Sequence, residues 1–320
     1  MILIPKYRDI FTLNPVILPI GVSGRFKFEA MNKFSGKRRV LADWFSNVIL
    51  DSGLNMMGDN LNWDDKCHVG TSNAAVLVTQ TALSGFLANS DTVENQFPGV
   101  GGTYYGSYTW VFRFNAGTAT GNLQEVGIGK VNGGGDPLFS RALILDGGGS
   151  PTTLTILADE ILDVTYELRS NAPVGDVDST VTLDSLVYDT KLRAALVTSS
   201  TYWGQWMNTQ MAARNNDTAA YTGAIGAVTT EPAGTKMGIP GTSVDVTNSA
   251  YVNLSLEKEF VLNVPVDDWN NGAGIRCITY NTSLGFFQSS YTRQGGGGET
   301  IPKDATKNLD MTCKFAWART

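Results

Sequence analysis

The stretch Ile161–Arg169, with the sequence ILDVTYELR, decides the fold class of this chain. From Leu162 onward every second residue is apolar, and the residues between them are polar or charged. Successive side chains of a β-strand point to opposite faces of the sheet, so this alternation predicts a strand with one buried and one solvated face. One-sided strands of this kind are typical of antiparallel sheets.

The same alternation recurs on both sides of this stretch, at residues 25–30, 110–114, 252–256, 260–264 and 309–317. Glycine-rich breaks favour turns that need positive φ angles, and they occur at residues 99–102, 133–135 and 147–149. The sequence therefore predicts a mainly β protein built from antiparallel β-sandwich or jelly-roll-like modules.

One segment has a different spacing. Between residues 38 and 50 the apolar side chains recur at intervals of three and four, at Leu41, Trp44, Phe45, Val48 and Ile49. This spacing predicts one amphipathic helix at about residues 38–50, in the N-terminal half, packed against a sheet. Gly53 follows it, at a position where a left-handed C-terminal cap is favoured.

The length of 320 residues favours two modules. Residues 1–20 contain three prolines and predict an extended arm, which lies along its own domain or docks on a neighbour. A segment with proline and glycine at residues 171–180 is expected to be a linker. It separates an N-terminal β module at residues 21–170 from a second β module with long loops at residues 181–320.

Composition argues against two classes of partner. Charged residues form only 17% of the chain, the net charge is −6, and the only basic cluster is Lys37–Arg39. Nucleic-acid affinity depends on Lys and Arg that displace counterions from phosphate, so no nucleic-acid partner is expected. No apolar run approaches the ~20 residues of a membrane-spanning helix. Charged residues also interrupt the start of the chain where a signal peptide would need an apolar core.

The sequence has no pattern that indicates a metal or cofactor. Cys67, Cys277 and Cys313 are far apart, which argues against a disulfide framework or zinc site and fits folding in a reducing cytoplasm. No Asp-x-Asp-x-Asp-Gly calcium loop occurs. The segment Gly127–Lys130 lacks the Ser or Thr and the helix that complete a phosphate-binding loop. We therefore expect no cofactor and no metal.

The candidates for catalysis are few. His68 is the only histidine, and it adjoins Cys67, so on a strand the two side chains would point to opposite faces. Glycan cleavage uses two carboxyl groups across a cleft, and adjacent acids occur at Asp64-Asp65, Asp159-Glu160 and Asp267-Asp268. Each pair lies beside turn residues, where acids are ordinarily solvated or cap the backbone. The chain is therefore predicted not to be an enzyme and to have no catalytic residue.

The most unusual local feature is the aromatic segment Tyr202–Trp206, with the sequence YWGQW. Tyr202, Trp203 and Trp206 could form a platform on which sugars or bases stack. They could equally pack beneath a loop or in a subunit interface, where Trp and Tyr are also enriched. Packing is the favoured interpretation, and these three residues are the candidate ligand or interface contacts.

Several segments, in this order, resemble a group of virion proteins of tailed bacteriophages described as tail, tail-fibre or baseplate-associated structural proteins. They are WFSNVILDSGL (44–54), CHVGT (67–71), FRFNAG (112–117), GNLQEVGIG (121–129), LFSRA (138–142) and ADEILDVTYELR (158–169), with IPK (301–303) and FAWAR (315–319) near the C-terminus. The resemblance is dense over residues 40–170 and thin over residues 190–300. None of these segments is a catalytic signature.

The resemblance implies a repeated, non-enzymatic subunit of a virion, in the tail or a tail appendage, assembled in the host cytoplasm. Its expected partners are further copies of itself, other virion proteins and a host surface glycan. Two alternatives stay open: a capsid-surface or neck or collar fibre protein, and a host-glycan-binding receptor-recognition protein that would use the segment Tyr202–Trp206.

Overall fold

The computed structural model describes residues 10–11, 17–59, 63–102, 104–130, 137–173, 175–183, 185–205, 207–238, 244–296 and 300–320. The first half of the chain forms β1 (Ile10–Phe11), β2 (Ile17–Asn32), β3 (Arg38–Ser46), β4 (Val48–Ile49), α1 (Asp51–Gly58), β5 (Lys66–Gly70), β6 (Phe86–Ser90), β7 (Val93–Gly101), β8 (Tyr105–Phe114), β9 (Gly121–Leu123), β10 (Glu125–Gly129), β11 (Leu138–Leu143), β12 (Leu154–Ile156) and β13 (Glu160–Asn171).

The second half forms β14 (Val177–Leu183), β15 (Leu186–Ala194), β16 (Ala213–Tyr221), β17 (Lys236–Met237), β18 (Asp245–Asn248), β19 (Glu257–Val264), β20 (Cys277–Thr282), β21 (Gly285–Arg293) and β22 (Leu309–Arg319). The prediction of a mainly β protein with several antiparallel sheets and one helix is confirmed for the described residues. Within them, no helix is long and apolar enough to cross a membrane.

Four sheets build the molecule. The nine-stranded sheet has the order β18-β19-β22-β2-β13-β8-β7, with β1 beside β22 and β3 beside β2. A six-stranded sheet has the order β14-β15-β21-β20-β16-β17, and a five-stranded sheet has the order β4-β11-β10-β5-β6. Strands β9 and β12 form a two-stranded sheet. One large cluster of buried apolar side chains, from Ile20 to Trp317, includes residues of all four sheets.

The alternating stretch at 161–169 lies in β13, in the middle of the nine-stranded sheet. Strand β13 is paired with β2 on one side and β8 on the other. Its apolar side chains, Leu162, Val164, Tyr166 and Leu168, are completely buried. On the outer face, Glu167 accepts hydrogen bonds from Arg25 and Asp163 accepts them from Arg113. The predicted strand with one apolar face is therefore confirmed, and its outer face is covered by arginine side chains.

The predicted helix at residues 38–50 is wrong. These residues form β3 and β4, whereas α1 begins at Asp51. The segment is rich in β-branched and aromatic residues, which favour strands. The buried side chains of β3 are Ala42 and Phe45, three positions apart. Phe26 lies opposite Phe45 and Phe28 opposite Ala42, so β3 carries one extra residue between these pairs. This irregularity replaces the period of two with an interval of three.

Gly53 lies inside α1 and does not cap a helix that ends at Leu50. A side chain at this position would overlap the backbone carbonyl of Phe139 on β11. Glycine therefore allows the helix to lie directly on the five-stranded sheet. The other side of α1 is fixed to β22, where the indole Nε1 of Trp317 donates to the carbonyl of Leu54 at 2.7 Å.

The nine-stranded sheet joins segments that the sequence assigned to separate modules. Strands β18, β19 and β22 come after residues 171–180, and the other strands of this sheet come before them. Strand β14 begins within that predicted linker, at Val177. Of the predicted N-terminal arm, β1 and the first residues of β2 pair in parallel with β22 of the same chain. Residues 1–9 and 12–16 lie outside the described part.

Candidate functional site

Trp203, the central residue of the predicted aromatic contact, is inside the protein. Its side chain is 0% exposed, and its Nε1 donates to the carbonyl of Ala195 at 2.8 Å. The ring contacts Phe287 at a centroid distance of 5.4 Å, and it lies so close to Gly285 that any side chain there would overlap it. Trp203 therefore packs within the monomer, as the packing interpretation expects, and its side chain is not at the surface of the monomer.

Tyr202 and Trp206 do not complete a platform. Tyr202 is half-buried, and its ring packs on Phe286 with centroids 4.6 Å apart. Burial, and next the negative charge of Asp217, raises the pKa of Tyr202 to about 12. Trp206 lies outside the described residues. Of the three predicted contacts, the structure places one aromatic ring partly at the surface and one in the core.

His68 lies on β5 with its ring 5.9 Å from that of Phe86. Burial, and next the positive charge of Lys66, lowers the pKa of His68 to about 4, so the imidazole is neutral at pH 7. Cys67 is completely buried, and burial raises the pKa of its thiol. Neither group is therefore in the ionisation state that a thiolate–imidazolium pair requires.

The three acid pairs lie in three separate places. Asp159 and Glu160 are at the end of β2, where Asp159 accepts from Asn32 at 2.6 Å and Glu160 accepts two hydrogen bonds from Arg39 at 2.9 Å. Asp267 and Asp268 follow β19 at the opposite end of the same sheet. Asp64 and Asp65 precede β5. Burial raises the pKa of Asp64 to about 6, and the negative charge of Asp65 acts in the same direction.

The sequence did not predict a completely buried ion pair, Arg141–Glu125. On adjacent strands, Arg141 donates to Glu125 at 2.9 and 2.6 Å, and both side chains are 0% exposed. Arg141 also donates to the carbonyls of Ala74 and Ala75, and Glu125 accepts from the amide of Gly85 at 2.6 Å. The pair thus ties the irregular segment 71–85 to the five-stranded sheet. The sequence signal for this pair was the presence of Glu125 and Arg141 in short segments that are otherwise mostly apolar.

The edge strand β7, with nine residues, is as long as β3, and no other strand at a sheet margin of the described structure is longer. It pairs with β8, and within the described chain its other side has no strand partner. Val93, Phe97 and Val100 are all exposed, Phe97 by 46%. Pro98 interrupts the row of backbone donors at the centre of the strand, which is a common protection against uncontrolled strand pairing. Side-chain packing is therefore the contact that β7 can offer to another molecule.

A second exposed apolar feature is the tight turn between β2 and β3, residues 33–37, which we name the Phe34 turn. Phe34 is 80% exposed, the largest exposed fraction among the large apolar side chains that the structure describes. The carboxamide oxygen of Asn32 accepts from the amides of Phe34 and Ser35, at 3.1 and 3.0 Å, and from the Ser35 hydroxyl. These bonds hold the turn in one shape.

Comparison of the chain with protein-family models, with curated proteins and with solved structures found no match.

Proposed function

We propose that this chain is a non-enzymatic structural subunit of a tailed-phage virion, in the tail or a tail appendage, that works by assembling with copies of itself and with other virion proteins. The edge strand β7 is the observation that carries the proposal. Its exposed apolar residues, Val93, Phe97 and Val100, lie along one sheet margin, where a second molecule can cover them. The sequence segments that resemble virion proteins support the same conclusion.

The ion pairs of the monomer also fit a rigid subunit that is repeated in an assembly. A subunit that packs against copies of itself must keep its shape. Here the outer face of the nine-stranded sheet is cross-linked by arginine–carboxylate pairs with two hydrogen bonds each. The buried pair Arg141–Glu125 fixes the longest irregular segment of the N-terminal half. Rigid partners lose little conformational entropy on association, so modest interfaces can hold them together.

Labelling of intact particles tests the proposal directly. Antibodies raised against the purified chain, coupled to gold, should decorate the tail or its appendages in micrographs of the phage that encodes it. Labelling at the capsid surface or the neck would favour the alternative location there. A chain that is absent from purified, nuclease-treated particles would contradict the proposal.

A surface variant tests the edge strand itself. Replacement of Phe97 by Asp places a charge in the covered part of the proposed contact, so copies should associate at least ~10-fold more weakly in sedimentation experiments. Val187→Asp is the matched control, since Val187 is exposed to a similar extent on β15, in a different sheet. Equal weakening by both variants would assign the effect to added charge and not to β7.

A further inference from the structure

The Phe34 turn and a cavity occupy opposite ends of the nine-stranded sheet. Strand β22 runs parallel to β2, with Lys314 level with Ile17, so the beginning of β22 lies beyond the beginning of β2. The Phe34 turn follows the last residue of β2, Asn32. At ~3.3 Å per residue, the 16 residues of β2 alone span about 50 Å. The two features therefore point in opposite directions along one strand axis.

The cavity at the far end has a volume of about 230 Å³ and is lined by Asp245, Asn263, Val264, Pro265, Asn308 and Asp310. Asp245, Asn263 and Asp310 are direct cross-strand neighbours on β18, β19 and β22, so they form one row on the same face of the sheet. Pro265 is exposed and adds an apolar wall. An apolar cavity of ~150 Å³ holds benzene, so this mostly polar cavity has room for a phenyl ring by size, with Pro265 as its apolar contact.

The Phe34 turn has the complementary chemistry. The ammonium of Lys33 lies 4.8 Å from the centroid of the Phe34 ring, so the turn displays an apolar ring with a positive charge beside it. Lys37 adds a second positive charge to the turn, and within the described structure neither lysine has an ion pair. A ring accompanied by cations matches a cavity with an apolar wall and a carboxylate rim.

The charges of the two ends are opposite as well. Around the cavity the described residues include five aspartates and two lysines, namely Asp245, Asp267, Asp268, Asp304 and Asp310 with Lys303 and Lys307. Around the Phe34 turn, four basic residues stand against three acids, and two of these acids are paired with the arginines: Arg38 with Asp163 and Arg39 with Glu160. The remaining positive charges are those of Lys33 and Lys37, and the remaining acid is Asp159. Copies aligned end to end therefore bring an end with two lysines, unpaired in the described structure, against an acidic end.

We propose that the Phe34 turn of one copy inserts into the cavity of the next copy, with Phe34 against Pro265 and Lys33 near Asp245. The inference rests on the proposed assembly function and names the partner and the geometry of one contact in it. An interface of this kind joins two different surfaces of identical chains, so its repetition gives a closed ring or a continuous filament along the strand axis. The edge strand β7 is a separate, lateral contact.

Cross-linking between two variants tests the contact. Phe34→Cys and Pro265→Cys are purified separately, mixed and oxidised, and a disulfide-linked dimer is the expected product. The chain's own cysteines are buried, so the introduced thiols are the reactive ones. Val252→Cys with Pro265→Cys is the matched control, because Val252 is 70% exposed but lies in the loop beside α1. A yield no higher than that of the control overturns the contact.

Sedimentation analysis supplies the second measurement. Phe34→Ala removes an exposed side chain, so the monomer should keep its fold while association weakens by roughly 10- to 100-fold. Lys33→Glu should weaken association too, and the added change Asp245→Lys should restore it, because the pair is then reversed.

The outcomes separate this inference from the proposed function. Association that is unchanged in Phe34→Ala, together with no cross-link above the control, overturns the end-to-end contact and leaves assembly through β7 standing. A wild-type chain that stays monomeric at every concentration also overturns the contact, whereas particle labelling decides the proposed function independently.

Discussion

The guanidinium of Arg141 and the carboxylate of Glu125 lie 2.6 Å apart, and neither side chain has any contact with solvent. A charge that loses its partner in such surroundings cannot be rehydrated without opening the structure. The same guanidinium donates to the carbonyls of Ala74 and Ala75. The pair is therefore both a buried charge pair and the anchor of the segment 71–85.

We expect Arg141→Met to lower the free energy of unfolding by about 3–5 kcal/mol, because it leaves Glu125 charged and buried without its partner. Urea denaturation measures this change. Lys236→Met is the control, since Lys236 pairs with Glu231 at a partly exposed site and should cost less than about 1 kcal/mol. Equal effects of the two substitutions would contradict a special role for burial.

Two tyrosine hydroxyls should respond differently to removal. The Tyr166 hydroxyl is buried beside the side chains of Ser140 and Asn47 without a hydrogen bond of good geometry to either, whereas the Tyr280 hydroxyl contacts the hydroxyls of Tyr291 at 2.6 Å and Ser289 at 3.0 Å. Tyr166→Phe should therefore change the melting temperature less than Tyr280→Phe does. Tyr280→Phe should lower stability by roughly 1–3 kcal/mol. Thermal denaturation of the two variants measures both changes. A larger loss of stability in Tyr166→Phe than in Tyr280→Phe would contradict this account of the two hydroxyls.

Trp203 should behave as a core residue in every assay. Trp203→Ala removes a fully buried indole and should cost about 3–5 kcal/mol, with loss of the folded monomer at moderate temperature. Tyr202→Ala, on the neighbouring half-buried residue, should cost much less. Circular dichroism and denaturation curves report both. A folded, stable Trp203→Ala protein that had lost only adhesion to host cells would restore the glycan-platform interpretation.

Asp64 and His68 should oppose each other in the pH dependence of stability. Folding raises the pKa of Asp64 from 3.8 to about 6, so the folded state holds the extra proton and stability falls as pH rises through this interval. Folding lowers the pKa of His68 from 6.5 to about 4, so the unfolded state holds the extra proton and stability rises with pH there. The two contributions largely cancel between pH 4 and 6.

Substitution should reveal each contribution. Relative to wild type, Asp64→Asn should gain stability as pH rises from 4 to 6, and His68→Asn should lose it over the same interval. Denaturation curves at half-unit steps of pH measure both slopes. Parallel pH profiles for the wild type and both variants would show that neither group changes its pKa on folding.

The sequence predicted the strands well where the chain stays in regular register. The run at 161–169 and the run at 309–317 both alternate strictly because β13 and β22 have a paired neighbour on each side and one face in the core. Where the register shifts, as between β2 and β3, the alternation is lost and the pattern imitates a helix. A short helix such as α1, with eight residues, gives too little periodicity to be recognised.

The exposed apolar surfaces were harder to predict, for a physical reason. An aromatic cluster in a sequence has the same composition whether it lies in a core or on a surface, and Trp203 shows that contacts distant in the chain, to Gly285 and Phe287, decide between them. Phe34 was one apolar residue in a polar segment, without any periodic signal. Its exposure depends on the turn that Asn32 stabilises, and only the folded hairpin shows it.

The position of β22 between β19 and β2 also determines when this protein can finish folding during synthesis. The first residues of β2, 17–22, pair with residues 314–319, which leave the ribosome almost 300 positions later. Until then the edge of β2 is open to other nascent chains, and contacts so distant in sequence form slowly. We therefore expect chains truncated before Leu309 to accumulate as aggregates in cells, and chaperone supply to limit the yield of the intact protein.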